Sequence, residues 1–72
     1  MKLKISLDTL SDVRGFVEAA TQADVPVYIT DGNGLKVSAK SMMGALYALE
    51  FDALWCECEK DIFHLISQYS AD

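Results

Sequence analysis

The chain has 72 residues, 51% of them apolar and 24% charged, and six basic against eleven acidic side chains leave a net charge of −5. That is one domain, too apolar for a disordered tail, with a core too small to enclose a deep pocket, so a binding module or carrier is favoured over a self-contained enzyme. The basic residues (Lys2, Lys4, Arg14, Lys36, Lys40, Lys60) are scattered along the sequence and form no stripe of the kind phosphate neutralisation demands, which argues against nucleic acid as a partner.

Residues 2–7 alternate Lys2, Lys4 and Ser6 with Leu3, Ile5 and Leu7, the pattern of a strand with one wet face. Ser11 offers a helix N-cap, with Asp12 favourable in the first turn. Val13, Phe16, Val17 and Ala20 follow at helical spacing, which predicts a helix over residues 11–22 that stops before Pro26. Gly15 weakens it by about 1 kcal/mol relative to Ala.

Residues 25–30 alternate again, with Val25, Val27 and Ile29 on one face and Tyr28 and Thr30 on the other. Pro26 stands at the strand entrance, where a missing donor matters least. Asp31-Gly32-Asn33-Gly34 is a turn signal, since Gly and Asn tolerate positive φ. Leu35 and Val37 make the return strand. Ser41 then caps a helix carrying Met42, Met43, Leu46, Tyr47, Leu49 and Glu50, ended by Asp52. Residues 54–58 read as a fourth strand, with Leu54, Cys56 and Cys58 on one face and Trp55 and Glu57 on the other. A last helix is expected over 60–69, lined by Ile62, Leu65, Ile66 and Tyr69 with Phe63 at the edge. Residues 70–72 are expected to fray.

The order is β-α-β-β-α-β-α. Strand 4 fits antiparallel between strands 1 and 2, giving spatial order 1-4-2-3 with the helices on one face. A ferredoxin-like order satisfies the same pattern, and periodicity alone does not choose between them. No apolar run approaches the roughly 18 residues of a membrane span. The opening residues alternate charged and apolar with no long apolar stretch behind them, so no signal peptide is expected. A cytoplasmic location without membrane contact is therefore expected.

Few residues suggest chemistry. His64, the single histidine, falls on the solvated side of the last helix with no nucleophile or second ligand placed beside it. Cys56 and Cys58 read as reduced core thiols, because an i, i+2 disulfide is strained and a zinc site wants four ligands. Glu57 and Glu59 share a strand face and read as a solvated edge, at most a weak cation site. No cofactor and no metal are expected. Lys40-Ser41-Met42-Met43-Gly44 is different. A serine at an N-cap faces free N–H groups that favour a phosphate. One of two adjacent Met residues must also turn outward, as an adaptable contact for a partner.

The segment Val37-Ser38-Ala39-Lys40-Ser41-Met42-Met43-Gly44, followed by Ala45 and Leu46, resembles the regulatory-serine segment of HPr, the histidine-containing phosphocarrier of the bacterial sugar phosphotransferase system. The family reads Val-Asn-x-Lys-Ser-Ile-Met-Gly there. The Asn33-Gly34 turn is similar to the family's hairpin, although Glu50-Phe51-Asp52-Ala53 replaces its Gly-rich approach to strand 4. The resemblance covers nearly the whole chain, and its specific part is residues 33–46. It implies an α+β fold, the HPr-like open-faced β-sandwich, in a single domain over residues 1–72.

The resemblance also implies what is missing. The family's phosphohistidine motif, His-Ala-Arg-Pro, falls on Thr9-Leu10-Ser11-Asp12. Thr9 would form a stable ester, unsuited to a reversible relay, Ser11 replaces the arginine that would balance a phosphate's charge, and Asp12 adds repulsion instead. A relay through an unusual acceptor, Asp8, Asp12 or Thr9, is the remaining carrier reading, an acyl phosphate on Asp being labile enough for transfer. The expected function is a non-enzymatic regulatory protein, phosphorylated on Ser41 or docking partners through Lys40, Met42, Met43 and Tyr47. Its implied partners are an HPr-type kinase, phosphotransferase-system proteins or a transcriptional regulator. The alternative is a structural or self-assembly domain using exposed Tyr28, Trp55 and Met42.

Overall fold

A computed structural model describes residues 1–71. Four strands, β1 (Lys2–Ile5), β2 (Val27–Thr30), β3 (Lys36–Ser38) and β4 (Leu54–Cys58), form one antiparallel sheet in the order β1-β4-β2-β3. The helices α1 (Leu10–Thr21), α2 (Met42–Ala48) and α3 (Phe63–Ile66), with a 3-10 turn at Ser67–Tyr69, complete an α+β open-faced sandwich. The expected strand order and fold class are therefore the observed ones.

Register sorts the side chains into two faces. One row, Leu3–Cys56–Ile29–Val37, crosses the sheet on the side of the core. Ile29 and Cys56 are fully buried there, with Val13, Phe16 and Ala20 of α1 and Ile66 of α3. The next row, Lys4–Trp55–Thr30–Lys36, belongs to the other face.

Several boundaries differ from expectation, each for a local reason. β1 ends at Ile5 because Ser6 turns away and donates to the Tyr69 carbonyl at 2.8 Å, although Leu7 still reaches the core. α1 is capped by Thr9 and not by Ser11. Thr9 Oγ1 accepts from the Asp12 amide at 3.0 Å, while the Asp12 carboxylate accepts from the Thr9 amide at 3.2 Å, a reciprocal capping box. β2 starts at Val27, just past Pro26. In the hairpin, Gly32 (φ 83°) and Gly34 (φ 111°) take the left-handed positions, and Asn33 does not. Asp31 Oδ1 accepts from Asn33 and Leu35, so Leu35 stays in the loop and β3 begins at Lys36.

α2 is capped by Ser41, as expected, and unwinds through i+3 bonds as far as Phe51. The last helix is far shorter than residues 60–69. Its N-cap position is Ile62, whose side chain cannot cap, the Asp61 carboxylate accepts from the Phe63 amide at 3.0 Å, and the final turn tightens to 3-10 as it brings Tyr69 beneath α1. The end does not fray at Ser70 and Ala71. Ser70 bridges Ile5, and the Ala71 amide donates to the Lys4 carbonyl at 2.9 Å, while Asp72 lies outside the described residues.

Candidate functional site

α2 is built inside out. Its core side consists of two small residues, Ala45 and Ala48, both fully buried, and Gly44 lets the backbone close on Ser38 and Val37 of β3. The large apolar side chains are left in water: Met43 is 81% exposed and Tyr47 52%, and Met42, Leu46 and Leu49 are each more than a third exposed. Leu10, at the head of α1, is 68% exposed. An isolated exposed Leu means little, but a contiguous set on packed helices marks an interaction surface.

The two helix heads share this surface. Leu10, Ser11 and Arg14 of α1 line an open cleft with Met42 and Leu46 of α2. The sequence therefore names Met42, Met43 and Tyr47 in advance, but not Leu10, Leu46 or Leu49. Their helical spacing suggests core until Ala45 and Ala48 are seen to occupy it.

Ser41 sits at the head of α2, half-buried, with its Oγ accepting from the Gly44 amide at 3.1 Å. Lys40 beside it is engaged elsewhere. Its ammonium donates to the Ala23 carbonyl at 2.6 Å and ties the end of α1 to the head of α2. Thr9 is exposed, but its hydroxyl is the cap of α1. The Asp12 carboxylate is held by the Asp8 and Thr9 amides at 2.9 and 3.2 Å, and Asp8 accepts from the Ser6 hydroxyl. Two carboxylates thus flank Thr9, and a phosphoryl group there would meet like charge. Arg14 is exposed in the cleft beside Leu10 and Ser11.

The remaining candidates lie away from this face. His64 is exposed on α3, and no group of three or more His, Cys, Asp or Glu able to hold a metal occurs among the described residues. Cys56 and Cys58 are free and buried, and burial pushes the Cys56 thiol up to about 12, so it remains a neutral core group. Glu57 is paired with Lys36 at 2.9 Å, and that hydrogen bond and charge hold its carboxyl below the ordinary value. The Lys60–Asp24 pair at 3.0 Å does the same for Asp24.

No family profile, no curated protein and no solved structure matches the chain. No helix among the described residues is long and apolar enough to cross a membrane.

Proposed function

We propose that the chain is an HPr-like protein of the phosphotransferase system that acts in the cytoplasm without catalysis, docking partners through the apolar face of α1 and α2 and accepting a phosphoryl group on Ser41. One observation carries the reading. α2 buries Ala45 and Ala48 and exposes Met42, Met43, Leu46, Tyr47 and Leu49. Folding alone gains nothing from that arrangement, whereas a partner that covers those side chains gains their burial.

The place of Ser41 supports the second half. A phosphate on it would set charge against Met42 and Met43, at the rim of the docking face, and change which partner surfaces fit. The engagement of Thr9 as a helix cap, between Asp8 and Asp12, weighs against a relay at the start of α1. Lys40 serves here as the strut that positions the segment.

The test is incubation with an HPr-type serine kinase and ATP, followed by mass spectrometry. One phosphoryl group on Ser41, absent from Ser41→Ala, is expected. An unmodified chain beside a control substrate that is fully modified would remove the phosphoacceptor role. A second reading, self-association through the same face, is favoured by the exposure of Met43 and Leu10. Sedimentation equilibrium decides it, because a strict monomer at high concentration leaves only foreign partners.

A further inference from the structure

The outer face of the sheet carries a charge pattern that the sequence hides. Lys2 and Lys4 stand two residues apart on β1, and both lean over one ring: their ammonium nitrogens lie 5.5 and 5.9 Å from the centre of Trp55 on β4. Neither forms a close ion pair among the described residues, although Glu57, bound to Lys36, stands opposite Lys2 across the β1–β4 pair and feels its charge. At the far edge of the same face, on β3, the third lysine is neutralised. Lys36 sits 4.9 Å over Tyr28 and is bound to Glu57, with Glu59 nearby. Lys2, Lys4 and Lys36 thus share the single strand carboxylate of Glu57, and the excess positive charge of the face gathers at Lys2 and Lys4 framing Trp55, in a chain of net charge −5.

From this we infer that the Lys2–Trp55–Lys4 platform binds an extended acidic segment of a partner protein, with carboxylates at i and i+2. Alternate residues of an extended peptide repeat every ~7 Å on one side, the same pitch that separates Lys2 from Lys4. Two carboxylates then meet two ammoniums, and the side chain flanking them lies on the indole. The acidic remainder of the molecule steers such a segment to this face by repelling it elsewhere. A nucleic acid is disfavoured, because it brings a phosphate at every step while this platform offers two lysines with Glu57 beside them. A small ligand has no enclosure here. The site is separate from the α1–α2 face and stands or falls without it.

Trp55 is the single tryptophan, so its emission reports on the platform directly. The probe is a peptide of about ten residues alternating Glu and Thr, whose carboxylates recur along one edge. Its counterpart with Lys for Glu and an oligothymidylate are titrated beside it. The expected result is a saturable change in Trp55 emission with the acidic peptide alone, with amide shifts confined to β1 and β4. The exposed Lys2→Glu/Lys4→Glu variant should bind roughly tenfold or more weakly, since each exposed ion pair is worth up to about fivefold. An unsaturable or absent response, unchanged affinity in that variant, or tighter binding of oligothymidylate overturns the inference.

Discussion

At the scale of single residues, the tightest constraint is Gly15. A methyl group there would run into the hydroxyl of Tyr69, whose ring is buried edge-on against Phe16 at 5.5 Å. Alanine gains about 1 kcal/mol in helix propensity, but overpacking costs typically 1–3 kcal/mol, so Gly15→Ala is expected to destabilise. In Tyr69→Phe the obstructing oxygen is gone and the nearest ring carbon lies at 3.4 Å. There the same change should be neutral or stabilising, and urea unfolding of the four proteins reads the sign. Gly15 looks like a weak point in the sequence because its partner lies at the far end of the chain.

Glu57 gives a second prediction at this scale. Its folded pKa is lowered by Lys36, so the stability it lends is present above the unfolded carboxylate pKa and is lost as pH falls through the lower folded value. The pair is exposed, and the contribution is small. The carboxyl carbon of Glu57, followed by NMR, should titrate at higher pH in Lys36→Met. An unmoved midpoint would show that Lys36 does not hold it.

At the scale of elements, the sequence reads best where periodicity and turn chemistry agree. Lys2–Ile5 and Leu54–Cys58 announce themselves by alternation, and the Asp31–Gly34 turn by its glycines. Helix ends are harder. Thr9 and Ser11 both stand before the apolar repeat. Asp12 looks like a favourable first-turn acid, when it is also the far member of a box with Thr9. Thr9→Ala is therefore expected to cost about 1 kcal/mol, while Ser11→Ala stays within about 0.5 kcal/mol. Thermal melts that reverse this order would contradict the capping box. The last helix is shorter than its periodicity suggests for a different reason. Its apolar residues are at helical spacing, but Tyr69 and Ser70 are claimed by contacts with Phe16 and Ile5.

At the scale of the molecule, two faces with opposite character emerge. The helices present leucines, methionines and Tyr47, and the sheet presents lysines over aromatic rings. Part of the first was legible, because two adjacent Met residues cannot both be core. The extent of it was not, since only packing shows that Ala45 and Ala48 suffice to seat α2. The second was illegible in a linear reading, because antiparallel pairing brings residues 2, 4 and 55 together.

The central claim is that the exposed face of α2 is kept for a partner and delivers Ser41 to it. The most direct measurement is the initial rate of Ser41 phosphorylation by an HPr-type kinase in the wild-type chain and in Leu46→Glu. The account predicts a modified Ser41 in the first and a rate at least roughly tenfold lower in the second, with melting unchanged because Leu46 is a surface residue. No phosphorylation at all, or equal rates in the two proteins, would contradict it.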